Sequence, residues 1–493
     1  MSTNTVPDFA RLSSVAAGTP NAQNKSLPTI IQGGMGVAVS SWQLARAVSQ
    51  TGQLGVVSGT ALDTVVARRL QDGDVGGHIR RALEHFPVLP MAQRVLRRYF
   101  RSAGRIHDQP YVLVPNLSLH PSTAALELSI VANFAEVWLA KEGHDGVVGI
   151  NYLEKVQMAT PSAAYGAMLA DVDYVLMGAG IPAEIPQLLN QLVNHKPCSL
   201  KVHVDQATTA YSIGFDPQIL TDGVLAPLRR PMFLAIVSAH TLATYLAREE
   251  ATRPDGFVVE GPRSGGHNAP PRGHLVLDED GQPVFGPRDD ADFDKVAKIG
   301  LPFWLAGGYS TPEQLKQAQL LGAVGIQVGT LFALSAESGF STVIREKLLT
   351  ELATERLVVR TDPLASPTGF PFKVASLPGT LSEMENFDAR PRLCDLGYLR
   401  VPYQRASGSI GYRCPGEPVR NYVRKGGVID ETVGRKCLCN GLMASVGLSQ
   451  TRSNGYRELP LVTLGANFGG AIEMNTILPE GWTAAKVVSY LLQ

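Results

Sequence analysis

Two glycine-rich segments have the composition of an anion cradle. Leu305-Ala306-Gly307-Gly308 and Ile326-Gln327-Val328-Gly329-Thr330 lie about 20 residues apart. Glycine lets main-chain N–H groups approach phosphate oxygens, and a helix starting just beyond adds a favourable dipole. As a pair they predict a phosphate site; the bland alternative is two unrelated tight turns. A third segment, Gly261-Pro-Arg-Ser-Gly-Gly-His267, sets His267 on a loop where Gly265 and Gly266 let the backbone pass close to a flat ligand. An imidazole there donates a hydrogen bond or exchanges a proton near neutral pH, unless it is satisfied within its own loop. A fourth, Ile31-Gln32-Gly33-Gly34-Met35-Gly36, offers backbone groups and a soft thioether to a ring system.

Four cysteines gather late in the chain: Cys394, Cys414, Cys437 and Cys439, spaced C-x19-C-x22-C-x-C. Four thiolates can hold zinc or an iron–sulfur cluster. The usual C-x2-C pair is absent, and free cysteine is often simply buried, so both readings stand. Arg413, Arg435 and Lys436 flank three of them and suit thiolates or a phosphorylated ligand. Cys198 reads as core.

The elements that must position these residues are short apolar runs. They are Pro28–Gln32, Leu54–Val57, Val147–Asn151, Tyr174–Gly178, Phe233–Val237, Phe257–Glu260, Phe303–Ala306 and Gly325–Gly329. Continuous apolar runs separated by helical stretches predict parallel strands buried on both faces. Eight of them fit a (β/α)8 TIM barrel, an α/β fold. A doubly wound sheet is the competitor, but no GxGxxG follows any of the runs. Ser40 or Ser41 caps a helix over Trp42–Gln50, and Thr311-Pro312 starts another that runs to Gly322.

The spacing predicts a large insertion after strand 2, about residues 60–146, and a smaller one after strand 4, about 196–230. The first holds a helical piece, Ile79–Arg101, and a strand-like run, Tyr111–Val114; the second holds Ser199–Val204. Such insertions form a lid or serve oligomer contacts. Residues 1–27 read as a disordered leader, 28–350 as the barrel, and 351–493 as an ordered C-terminal extension packed on it. The 493 residues carry 44 Lys+Arg and 44 Asp+Glu, so charge argues against nucleic acid as a partner. No run of about 18 apolar residues predicts a membrane span, and five cysteines do not make a disulfide scaffold. A reducing cytoplasm is the expected compartment.

The segments Ile31–Met35, Gly149-Ile-Asn151, Glu260–His267, Ala306–Gly308 and Gln327–Thr330 resemble, in order, motifs of the nitronate monooxygenase (2-nitropropane dioxygenase) family. The resemblance covers roughly residues 28–340 and implies an FMN-dependent TIM barrel. It implies that Gly307, Gly308, Gly329 and Thr330, with Gln327 in the same motif, hold the phosphate end. Gln32, Gly33, Gly34, Met35, Asn151, Gly265 and Gly266 then line the isoalloxazine or ribityl chain. The same superfamily includes FMN-dependent enoyl-acyl-carrier-protein reductases and synthase-associated enoyl reductases. Leu153–Gln157 and Tyr165–Leu169 look more like that branch.

The chain departs from the family in one respect. The bacterial enzymes carry a catalytic histidine on the fifth strand, where this sequence has Ser238. His240, two residues on, falls on the same face if the strand continues. Either His240 or His267 substitutes, or the reaction differs. Three readings follow: oxidation of an alkyl nitronate with O2; NADPH-dependent reduction of an enoyl thioester, with an acyl-carrier protein as partner; or a flavin-binding partner subunit of a synthase complex. A homo-oligomer is compatible with each.

Overall fold

In the computed structural model, which describes residues 26–106, 109–221 and 225–493, all eight apolar runs become parallel strands. They are β1 (Ile30–Gln32), β2 (Gly55–Ser58), β3 (Val148–Leu153), β4 (Tyr174–Gly178), β5 (Met232–Val237), β6 (Gly256–Glu260), β7 (Phe303–Ala306) and β8 (Gly325–Val328). From β2 to β8 each pairs with the next, β8 pairs with β1, and β1 meets the approach to β2 through an isolated bridge between Ile31 and Leu54. The leader, apart from its last two residues, lies outside the described residues.

The joint between β1 and β2 closes the ring, and it is short. The Gln32 amide donates to Leu54 O at 2.9 Å and the Leu54 amide to Ile30 O at 3.1 Å. The Gln32 side chain then takes the place of the next ladder bond. Its Oε1 accepts from the Val56 amide at 2.9 Å, and its Nε2 donates to Ser40 Oγ at 2.7 Å. Ile31, Leu54, Val56, Tyr174, Leu176, Leu234, Val258, Trp304 and Ala306 pack inside the barrel. A packed interior leaves the strand ends, not a pore, for chemistry.

Helices cover the outside as the capping signals require. Ser41 caps Trp42–Ser49, and Thr311 with Gln314 forms a capping box at the head of Pro312–Leu320. The helix following β8, Thr330–Ala333, is a single turn. Its place in the outer ring is completed by Ala484–Leu491, which packs against both Trp42–Ser49 and Pro312–Leu320. Trp482 pins this late helix with an indole N–H bond of 2.9 Å to Leu331 O.

The first insertion differs from its sequence reading in three ways. The helix expected over Ile79–Arg101 is two helices, His78–Glu84 and Leu89–Tyr99. Pro87 cannot donate an i→i−4 bond, and Pro90 suits only a first turn. Tyr111–Val114 is not a strand, because glutamine side chains take its amides: Tyr111 N–H donates to Gln450 Oε1 and Val112 N–H to Gln71 Oε1, both at 2.7 Å. The helix Thr123–Lys141 is, against expectation, long and apolar enough to cross a membrane, but 78% of its most apolar window is buried. Its Glu127 and Glu136 pair with Arg94 at 2.6 Å and Arg69 at 2.5 Å. These buried charges fit a core helix under amphipathic neighbours.

The Ser199–Val204 run becomes the strand Cys198–Val202, paired antiparallel with Tyr211–Phe215 outside the barrel. The extension is ordered. It carries two hairpins, Val358–Asp362 with Phe372–Ser376 and Val401–Gln404 with Ile410–Arg413, and several short helices.

Gln32→Leu keeps side-chain bulk but strands the Val56 amide at the ring joint. It should cost roughly 2–4 kcal/mol in urea unfolding, the loss of two buried hydrogen bonds. A change below about 0.5 kcal/mol would mean the joint does not need this side chain.

Candidate active site

All eight strands end at one rim, where a cavity of about 260 Å³ opens between the barrel and the extension. Gly33, Gly34, Met35, Asn151, Gly265, Gly266, His267, Gly307, Gly308, Gln327, Gly329 and Thr330 all line it. Gln32 does not: its side chain is fully buried in the β1–β2 joint. Ser238 and His240 are not brought in either. Ser238 lines a separate small pocket, and its carbonyl accepts from Arg272 at 3.2 Å. β5 stops at Val237 and His240 opens a helix, so strand alternation never reaches it. Its Nδ1 accepts instead from the Asp292 amide at 3.4 Å.

The end of the cavity between β7 and β8 is built from backbone. Gly307 and Gly308 have φ of 85° and 115°, and a Cβ at Gly307 would meet Ser264 Oγ at 2.5 Å and Gly261 N at 3.0 Å. Only glycine fits there. Gly329, by contrast, sits at the mouth of the single-turn helix, and a Cβ added to it would find its nearest neighbour, Met35 Sδ, at 3.5 Å. Among the described residues, the amides of Gly307, Gly308, Gly329 and Thr330 have no hydrogen-bond acceptor. The extension braces this end. Asn467 Nδ2 donates to Gly308 O at 2.7 Å, and the Gly465 amide donates to Thr330 Oγ1 at 3.1 Å, leaving the threonine proton to point elsewhere. The exposed Arg263 guanidinium stands at the same end of the cavity.

Two buried polar atoms beside this cradle, Gln327 Oε1 and Ser264 Oγ, have no partner. Burying such atoms unpaired costs on the order of 1–3 kcal/mol each. Unpaired polar atoms, free amides and a glycine cradle together fit a ligand with a monophosphate at one end and a polar chain beyond it. Further in, Gly34 lies against Asn151, whose Nδ2 donates to Gly34 O at 3.3 Å. A Cβ on Gly34 would come within 2.2 Å of Asn151 Cβ.

His267 is held rigidly. Its Nε2 shares a 2.7 Å hydrogen bond with Ser366 Oγ, and its ring meets Phe372 edge-on at 4.9 Å. Its loop joins the extension through Lys373 N–H to Gly266 O at 2.9 Å and Gly266 N–H to Thr463 Oγ1 at 2.9 Å. Desolvation, with a smaller push from Lys155, lowers its pKa to about 4. The imidazole is therefore neutral at pH 7.

Glu260 is the residue the motif reading passed over, although it opens the Gly261–His267 segment. The register sets Glu260 beside Ala306 and Ala306 beside Gln327, so these side chains form one row facing the inside of the barrel top. Burial raises the Glu260 carboxyl to about 7. The opposite wall of the cavity comes from the extension and is largely apolar: Phe372, Leu399, Leu438, Leu442 and Leu464. Tyr398 stands among them, its hydroxyl 2.5 Å from both Asp63 Oδ1 and Thr64 Oγ1. The one sequence signal for these contributions is the glycine-rich Gly465-Ala-Asn-Phe-Gly-Gly470 stretch.

Of the two readings left open for the cysteines, the metal centre finds no support in the arrangement of the side chains. Among the described residues no cluster of three or more His, Cys, Asp or Glu side chains is arranged to hold a metal. Cys394 and Cys414 share a sulfur hydrogen bond that lowers the first thiol and raises the second. Burial raises the Cys437 thiol well above the usual range and Cys439 to about 12. Cys439 lines the cavity, and Cys198 is buried, as its core reading implies.

Residues 181–363 match the family model described as Nitronate monooxygenase. The motif resemblance and the family model thus agree. A probable nitronate monooxygenase of Staphylococcus haemolyticus (strain JCSC1435) is 27% identical over 135 residues, 27% of this chain and 36% of that protein. The (3aS,4S,5R,7aS)-5-hydroxy-7a-methyl-1-oxo-octahydro-1H-indene-4-carboxyl-CoA dehydrogenase of Mycobacterium tuberculosis (strain ATCC 25618 / H37Rv) is 24% identical over 205 residues, 37% of this chain and 54% of that protein. The chain thus spans only part of the length of these relatives. Among solved structures, FabK from Thermotoga maritima aligns with 94% of this chain and 91% of its own, at 17% identity and a TM-score of 0.46.

Two measurements check the electrostatics. The ring nitrogens of His267 should keep the NMR shifts of a neutral imidazole from pH 8 down to pH 5; a midpoint near the ordinary 6.5 would contradict its desolvation. For Glu260, the folded pKa lies above the ordinary 4.5, so its neutral form stabilises the fold fully below 4.5, and this is lost as pH rises through about 7. Glu260→Gln removes the loss. The variant should gain thermal stability over the parent between pH 5 and pH 8, and a gap that does not change with pH would exclude a buried carboxyl.

Proposed function

We propose that this chain is an FMN-dependent oxidoreductase that oxidises alkyl nitronates with O2. One observation carries the reading: four main-chain amides without acceptors at the ends of β7 and β8, beside the unpartnered Gln327 Oε1. In a TIM barrel this is where a cofactor phosphate sits. Gly307, Gly308, Gly329 and Thr330 would hold the FMN phosphate, with Arg263 supplying the opposite charge. Gly33 to Met35, Asn151, Gly265 and Gly266 would border the flavin, and Gln327 and Ser264 would meet its polar chain or ring edge. Bound FMN would supply two-electron acceptance from the substrate and reaction of the reduced form with O2.

The protein's own residues orient and enclose. The neutral imidazole of His267, fixed by Ser366, offers a positioned hydrogen bond without adding charge to the site. Residues 351–493 act as a cap on the barrel of residues 28–350. Their apolar side chains exclude water from the reacting atoms. The five free cysteines suit a reducing, cytoplasmic setting.

The apolar cap wall favours a second reading. It suits an acyl chain, and one relative is named for a carboxyl-CoA substrate. Under that reading the chain reduces an enoyl thioester with electrons from NADPH, and an acyl-carrier protein is the natural carrier.

Gly329→Ala tests the cradle. Gly329 has φ −108°, so alanine is tolerated by the backbone, while its methyl group occupies the cradle. The variant should keep its fold by circular dichroism and weaken FMN binding about tenfold or more, the scale of one lost phosphate contact. Unchanged affinity would remove the phosphate assignment. Anaerobic addition of propyl nitronate should bleach the bound flavin. Bleaching by NADPH alone, with recovery on adding an enoyl thioester, would select the second reading. No bleaching by either would leave the chain as a flavin-binding subunit.

A further inference from the structure

Glu260 occupies a position shared by no other residue of the cavity. It lines the main cavity and also the small pocket behind it, which is bordered by Ser238, Asn268, Arg272 and Asp289. It sits at the last position of β6 and faces inward, and its peptide is fixed by the Gly261 amide donating to Ala306 O at 3.1 Å. Among the described residues its carboxylate has no hydrogen-bond partner. In the pocket behind it, Asn268 Oδ1 is also buried without one. A carboxylate between a substrate cavity and a second, polar pocket has the placement of a proton-transfer group.

The other titratable groups of the cavity are committed elsewhere. His267 Nε2 is engaged by Ser366, and the ring is too weak a base at neutral pH. The Tyr398 hydroxyl is tied to Asp63 and Thr64. The Tyr152 hydroxyl donates away from the cavity, to Asn133 Oδ1 at 3.2 Å. Cys439 is a thiol held near 12, and burial raises Tyr309 above its ordinary value. Ser238 and His240, at and near the expected base position on the fifth strand, lie outside the cavity.

We propose that Glu260 is the catalytic base of this site, removing a proton from the carbon beside the nitro group of a neutral nitroalkane and releasing it through the rear pocket. The inference rests on the flavin oxidoreductase reading and assigns the proton-removing residue in a chain that has Ser238 at the family's histidine position and His240 outside the cavity. The C–H bond breaks, the proton passes to a Glu260 oxygen, and the electron pair stays with the carbon to give the nitronate. The nitronate is the two-electron donor of the proposed reaction, with FMN as acceptor and O2 as final oxidant. The protonated Glu260 then returns its proton by way of the pocket holding Asn268, Asp289 and Arg272.

The surroundings suit such a base. The neighbouring strands present Ile236 and Ala306, which are uncharged. The charged groups near Glu260 are Arg263 on its own loop and Arg272 and Asp289 across the rear pocket; the titratable His267 of the same loop is neutral. Burial raises its pKa to about 7, which suits a group that takes up and gives back a proton near neutral pH.

The test compares nitroethane with preformed ethyl nitronate as reductants of FMN-loaded protein without oxygen. In the parent protein both bleach the flavin, and the nitroethane rate rises with pH through about 7. Glu260→Gln should slow nitroethane about 100-fold more than it slows ethyl nitronate, the range of a lost general base, and should remove that pH dependence. Glu260→Asp, which keeps an ionisable carboxyl, should recover part of the nitroethane rate. Flavin absorbance before mixing reports whether each variant still binds FMN; if the glutamine variant does not, the aspartate variant and the parent pH profile decide the matter. Equal slowing of both reductants, or no slowing of nitroethane, overturns the role of Glu260 alone. A parent flavin that answers to neither reductant overturns the oxidase reading and the base together.

Discussion

A ring of parallel strands is held together only if every strand finds hydrogen-bond partners on both sides. In this protein the weakest joint is between β1 and β2, where two main-chain bonds and one glutamine side chain do the closing. The site depends on that joint. Gly33 to Gly36 leave one side of it, and Thr60 and Ala61 leave the other. Were the ring open there, the segments after β1 and β2 would not face those after β7 and β8 across one cavity. Gln32 therefore serves the site by geometry and not by touch.

Closure makes the two walls of the cavity differ in kind. The barrel wall is polar and backbone-rich, with glycines along the cavity. The extension wall is apolar and made of side chains. The two are stitched by bonds that cross between them: Asn467 to Gly308, Gly465 to Thr330, Thr463 to Gly266 and Ser366 to His267. The extension thus helps to shape each cavity-lining loop from β6 to β8.

What the sequence disclosed follows the range of the forces involved. The eight strands were legible because a strand buried on both faces must be apolar throughout, a local property. The glycines at 307 and 308 were legible because their backbone conformation demands glycine at that spot. Gln32 was misread because its motif position says nothing of whether its side chain turns to the cavity or to the neighbouring strand. His240 was misread because the end of β5 at Val237 depends on helix entry, which alternation does not sense. Glu260 was overlooked because its raised pKa comes from burial by strands distant in sequence. The cysteine spacing suggested a metal, and folding does bring those sulfurs near one another, but among the described residues no three metal-ligating side chains are arranged to hold an ion.

The late helix Ala484–Leu491, seated between the helices that follow β1 and β7, bears on how the molecule is made. The outer layer of the barrel stays incomplete until that helix has been synthesised, far along the chain from β8. During translation the flank of β8 and β1 is left bare, and such apolar surface is prone to wrong association. The nascent barrel would therefore need shelter until this helix docks.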